Sequence, residues 1–307
     1  MLDSIETIVA ALVPIFVLIA LGHVLYRSRF PGESFWPQLE RLVYYVFLPA
    51  LLVEKLGSAP LDPARIAPVA LAVVLTLAAI SVVVLALRWA MPVDGPAFTS
   101  VYQGAIRFNT YLGLAVAMAV YGATGIATAA LALAFLIPLV NVLSVAVLTR
   151  YAGGQASATT VLLGIIKNPL ILACVLGMAL NGSGVGLPFD GSVLNIIGRA
   201  ALPLGLMTVG AGLRLKMDWG QGAAIAWSSV FKLAVMPLLA FAAARLVGLT
   251  TLEMQMLVLF AALPTATSAY ILARLLGGDH TLVASILTVQ TLLSVVTLSV
   301  TLLLIGT

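Results

Sequence analysis

Charge is scarce in this chain. Asp, Glu, Lys and Arg make up 8% of its 307 residues, against about a quarter in a soluble domain. Polar groups this few cannot cover a water-facing surface. Hydrophobic residues reach 62% and the mean hydropathy is +1.17, so the solvent over most of the surface must be lipid. Cysteine is nearly absent: Cys174 alone, inside an apolar stretch, excludes a disulfide or thiolate metal site. The two histidines, His23 and His280, have no ligand cluster around them, so neither a metal nor another cofactor is expected. Basic residues outnumber acidic ones by 15 to 11 but are strung singly, without a basic run, which argues against nucleic acid as a partner. No Gly-x-Ser-x-Gly and no pair of intramembrane aspartates is present, so the chain does not read as an enzyme. Its start carries Asp3 and Glu6 rather than a basic region, so the first apolar stretch is expected to be a retained helix, not a cleaved signal.

What is present is a succession of apolar runs. A helix crosses the hydrocarbon core with about 20 residues, and that length predicts ten spans: 5–26, 38–53, 64–91, 96–121, 126–149, 158–180, 193–213, 220–247, 252–276 and 282–305. Positive charge favours the cytoplasmic side. With the amino terminus outward, Arg27, Arg29, Arg41, Arg88, Arg150, Arg214, Lys216 and Arg274 fall inside, and only Lys55, Arg65 and Arg245 outside. Trp36, Trp89 and Trp219 then sit at the inner interface, and both termini face outward.

Short matches recur at a nearly constant offset. Pro14…Leu21-Gly22 resembles Pro169…Leu176-Gly177, 155 residues on, and Leu48-Pro49 resembles Leu202-Pro203, 154 on. Asn109-Thr110 and Pro264-Thr265 correspond at 155, and Leu143-Ser144-Val145 resembles Leu293-Ser294-Val295. Five helices per half is an odd number, so the second half enters from the opposite side. The expected fold is therefore an all-α integral membrane protein of ten helices, a five-plus-five inverted repeat over 1–150 and 156–307 with broken fourth and ninth helices.

Breaks at membrane depth must face protein or a watery cavity, which makes them the candidate site. The fourth span carries Arg107-Phe108-Asn109-Thr110 near its middle, and the ninth carries Pro264-Thr265-Ala266-Thr267 at equivalent depth. Pro264 removes an intrahelical hydrogen bond, and Asn109 and Thr110 offer local bonds that compete with helix. Two half-helix amino termini meeting there favour an anion. The charges agree. The four ionisable residues well inside the spans, Arg107, Lys167, Arg199 and Lys232, are all basic, while every acidic residue lies near a helix end or in a loop. A cation path or carboxylate proton relay would show the reverse. The substrate-binding candidates are Asn109, Thr110, Arg107, Pro264, Thr265 and Thr267, with Gln103, Asn141, Gln290 and Lys232 as cavity lining. Alternatives remain open for Arg107, which suits either substrate charge or freed carbonyls, and for Asn141 and Gln290, whose default reading is interhelical hydrogen bonding, with cavity lining the lesser one.

At residues 107–114, at Leu263-Pro264-Thr265-Ala266-Thr267-Ser268 through Gly277-Gly278-Asp279, at Lys167-Asn168-Pro169 and at Leu292-Leu293-Ser294, the chain resembles the auxin efflux carrier family. The resemblance implies crossed fourth and ninth helices. It also implies a scaffold of helices 1, 2, 6 and 7 that forms a homodimer, and a transport domain of helices 3–5 and 8–10 that moves as an elevator. Family members move small organic anions such as auxin or carboxylates like malonate. Asn109 matches the crossover asparagine and Pro264 the crossover proline. Phe108 and Tyr111 are larger than the residues relatives often place there, so pocket size does not carry over. The short stretch 151–157 in place of a long loop fits a compact bacterial member in an inner membrane. Export or facilitated movement of a small carboxylate is the expected function. A sodium- or proton-coupled anion symporter is the alternative, and a membrane-embedded ligand sensor the alternative of another class.

Overall fold

The computed structural model describes residues 5–59, 62–153, 163, 166–187, 191–215 and 219–306, which are mostly helical. Lys216, Asp3, Asp190, Asp218 and the opening of the 158–180 span lie outside the described residues. In chain order the helices are α1 (Ile5–Arg27), α2 (Phe35–Leu42), α3 (Leu48–Ser58), α4 (Pro63–Ala86), α5 (Gly95–Ile106), α6 (Thr110–Tyr151) and α7 (Pro169–Ser183). They continue as α8 (Ser192–Arg199), α9 (Ala201–Gly212), α10 (Gly222–Val230), α11 (Met236–Val247), α12 (Thr251–Ala262), α13 (Ser268–Leu276) and α14 (His280–Ile305). Five-residue π turns, Val43–Phe47 and Phe231–Val235, join α2 to α3 and α10 to α11.

Among the described residues, six helical stretches are long and apolar enough to cross a bilayer: Ile5–Arg27, Pro63–Ala86, Gly95–Tyr151, Ser192–Gly212, Gly222–Val247 and His280–Ile305. Pro169–Ser183 and Thr251–Ala262 are apolar but shorter. The protein is an integral membrane protein. Gly95–Tyr151 is too long for one crossing of a core about 30 Å thick at 1.5 Å per residue. It is interrupted at 107–109 and bends again at Gly122, whose φ of 65° only glycine adopts without strain.

Several polar residues that look isolated in sequence are caps. Asp62 accepts from Ala64 N, Asp94 from Ala97 N, Asn168 from Leu170 N and Asp279 from Leu282 N, each satisfying a free donor at the start of a helix. Pro63 and Pro169 follow their caps, where a missing N–H costs nothing. Lys167, directly ahead of the Asn168 cap, and Arg199, inside the Ser192–Gly212 stretch, are exposed on the protein's surface. Of the four basic residues expected well inside the spans, Arg107 and Lys232 are buried within the protein.

Packing joins α1 to α9 and α3 to α7 and α8. The first contact depends on missing side chains: a Cβ on Gly22 would stand 2.0 Å from Met207 O, and one on Gly210 would stand 1.8 Å from Ile19 O. Lipid tails are as apolar as leucine, so close backbone approach between small residues supplies the van der Waals attraction that holds membrane helices together. The second contact brings Gly177 of α7 against Val53 and Leu56 of α3. A second set packs α12 on α11, α6 and α14, and α14 on α5. At one end, Arg65 of α4 pairs with Glu253 of α12 through Nε and Nη2.

Candidate functional site

Both expected interruptions are present, and they touch. α5 ends at Ile106; Arg107 is extended (φ −78°, ψ 156°), and Asn109 caps α6 by accepting from Leu112 N at 3.1 Å. α12 ends at Ala262, Leu263 is extended, and α13 starts at Ser268. The backbone N–H of Asn109 donates to Pro264 O at 2.9 Å, so each break satisfies part of the other.

Gln290 of α14 completes the joint. Its Oε1 accepts from Thr265 N at 2.9 Å, while Nε2 donates to Gly104 O at 3.1 Å and Ser228 Oγ at 3.2 Å. One buried amide thus serves backbone groups freed by both breaks. Gln290 is fully buried and makes interhelical hydrogen bonds, its default reading, and lines no described cavity. The expectation of Lys232 as cavity lining is corrected, since it lines no described cavity. Its Nζ is buried against Met236 Sδ (3.1 Å) and Phe260 O (3.4 Å), beside the last turn of α12, where carbonyls lose helical partners. Gln103 is buried and lines no described cavity, and neither do Pro264 and Thr265.

The remaining candidates do converge. A cavity of about 590 Å³ is lined by Arg107, Asn109, Thr110, Asn141 and Thr267, with Glu40, Arg41, Tyr44, Tyr111 and Ser268. The volume lies within the usual range for small-molecule sites. A smaller recess of about 70 Å³ opens beside Arg107, Tyr44 and Asn168, and a neighbouring pocket of about 250 Å³ shares Glu40 and Thr267.

Arg107 is the dominant charge. It is buried, and its guanidinium donates from Nη1 to Asn141 Oδ1 (3.0 Å) and Ser144 Oγ (3.3 Å), and from Nη2 to Ser268 Oγ (2.9 Å). These acceptors are neutral, and among the described residues no carboxylate forms an ion pair with it. A buried charge held by neutral groups retains much of its desolvation cost, which an anionic ligand would relieve. Asn109 Nδ2 is buried and, among the described residues, has no hydrogen-bond partner, leaving a donor beside the same cavity.

Glu40 was missed. Sequence reading placed it at a helix end, without a role, and found no acidic residue for the site. Here it is half-buried in the cavity wall and accepts a hydrogen bond from Thr267 Oγ1 at 2.6 Å. The one available signal was its spacing from Trp36 and Tyr44, which puts all three on one helical face.

Residues 154–302 match the family described as membrane transport protein. Across nearly the full length, the chain is 27% identical over 306 residues to a protein of Rhizobium meliloti (strain 1021) named "Putative malonate transporter", covering 95% of this chain and 94% of that one. It is 26% identical over 300 residues to an "Uncharacterized transporter" of Methanothermobacter thermautotrophicus, covering 97% of each. The second half of the chain is thus similar to the membrane transport protein family, and nearly its whole length is similar to proteins named as transporters.

Proposed function

We propose that the protein is a secondary carrier for a small organic anion, a carboxylate of the malonate type, which binds where the two helix breaks meet. The observation that carries this reading is the buried Arg107 guanidinium, held by neutral groups in the wall of a cavity that also presents Asn109 Nδ2. The malonate named for the Rhizobium relative agrees in charge and size with such a site.

The packing supports an alternating-access mechanism. The cavity lies between α2–α3 on one side and the breaks at 107–109 and 263–267 on the other. α1 packs on α9 as α7 packs on α3, the relation expected when the first helix of each half leans on the second helix of the other. This supports a ten-helix inverted repeat with a crossed fourth and ninth helix. In this reading, helices 1, 2, 6 and 7 serve as a dimeric scaffold, and the rest moves past it as an elevator. On the same reading the protein sits in a bacterial inner membrane with both termini outward, and the negative-inside potential makes anion export downhill.

Proton coupling gains a candidate in Glu40, which corrects the expectation that no carboxylate is available to it. The test is counterflow of labelled malonate and related carboxylates in proteoliposomes. Saturable exchange supports the carrier; binding without exchange, which a sensor would give, would sink it.

A further inference from the structure

We propose that Glu40 is a tethered stand-in for the substrate's carboxylate, bound to the amino-terminal end of α13 when the site is empty and displaced when an anion arrives. The inference rests on the carrier reading above and assigns to Glu40 the coupling of occupancy to release of one helix from another.

Thr267 precedes α13 with helical backbone angles, and its hydroxyl makes no capping bond. That hydroxyl instead donates to Glu40 Oε1 of α2 at 2.6 Å, the short distance of a charge-assisted bond. A carboxylate is favoured there by the positive dipole end of a nine-residue helix. The next residue, Ser268, is held by Arg107 Nη2 at 2.9 Å. Adjacent hydroxyls on one helix end are thus engaged by the protein's own carboxylate and by the cavity's buried cation.

A substrate carboxylate drawn to Arg107 would arrive beside Glu40, and two like charges at one helix terminus repel. Glu40 has a way out. Among the described residues no basic side chain pairs with it, and it also borders the neighbouring pocket of about 250 Å³, which Glu33 and Arg214 line as well. Displacement breaks the Thr267 bond, a tie between α2 on the scaffold side and α13 on the moving side. Binding energy is thereby spent on releasing the latch, so an occupied carrier moves more readily than an empty one.

The experiment compares wild type, Glu40→Gln and Thr267→Val, purified in detergent. Glu40→Gln removes the competing charge, and the expected result is malonate binding about tenfold tighter in titration calorimetry. Weaker or unchanged binding in Glu40→Gln, with wild type binding normally, would make Glu40 a ligand or a strut and overturn the proposal. The latch itself is read without any substrate. Melting temperatures of the two single variants and the double should be non-additive, the double losing no more than the larger single loss; additive losses would also overturn it. If neither wild type nor Glu40→Gln binds or exchanges any carboxylate in the panel while the melting cycle stays coupled, the carrier reading fails and takes the displacement with it. The contact would then be a structural one.

Discussion

Replacing Arg107 with methionine keeps a long apolar stem and removes the charge. The guanidinium gives up hydrogen bonds to Asn141, Ser144 and Ser268. Asn141 and Ser268 line the cavity and can take water instead, whereas Ser144 is buried. The lost bonds cost about 1–3 kcal/mol, and removing a buried charge offsets part of that. Folding should therefore survive. The effect on the ligand is larger. A unit charge about 5 Å from a carboxylate at an effective dielectric constant of about 20 contributes roughly 3 kcal/mol, which corresponds to about 200-fold in affinity. Arg107→Met should raise the half-saturation concentration for malonate counterflow by about two orders of magnitude, with a melting temperature near that of wild type. Arg107→Lys keeps the charge but not the planar fork that reaches Asn141 and Ser268 together, and should fall between the two. Half-saturation within threefold of wild type in a well-folded Arg107→Met protein would refute the placement of Arg107 at the ligand.

Gln290→Leu should lower stability by about 2–4 kcal/mol, since it strands Thr265 N and Gly104 O at the joined breaks; a melting temperature like that of wild type would show that other groups serve these atoms. Gly210→Ala forces a methyl group onto Ile19 O and should cost about 1–3 kcal/mol or more by separating α1 from α9, readable as a fall in melting temperature and absent if that contact loosens freely. Efflux of a monovalent anion from proteoliposomes should respond to an imposed potential by about 2.3 kcal/mol per 100 mV, roughly 50-fold in the equilibrium gradient. Indifference to the potential would mean that charge is balanced by a coupled ion.

The two breaks were legible because their chemistry is local. Asn109 competes with its own helix for backbone donors, and Pro264 lacks a donor, so neither needs a distant partner to be recognised. Arg107, among the few charges in so apolar a chain, was conspicuous for the same reason. What stayed hidden depends on contacts made across the chain. Gln290 reaches Gly104 from 186 residues away, and nothing nearby distinguishes such a residue from a cavity-lining amide. Lys232 likewise meets Phe260 only through folding. Glu40 was discounted because a position near a helix end usually means water, whereas α2 leans into the cavity and brings that end inward. Hydropathy sets span length but does not show that Asn168 caps a helix starting at Pro169.

The central claim is that a small carboxylate binds at the meeting of the two breaks, and counterflow of labelled malonate by Asn109→Ala beside wild type tests it most directly. Asn109→Ala removes the unpartnered Nδ2 donor and the cap on Leu112 N. The cap costs about 1 kcal/mol of stability, too little to unfold the protein. The account predicts saturable counterflow in wild type and at least a tenfold loss in a folded Asn109→Ala protein. Robust counterflow indifferent to Asn109 would contradict it and move the binding site elsewhere in the carrier.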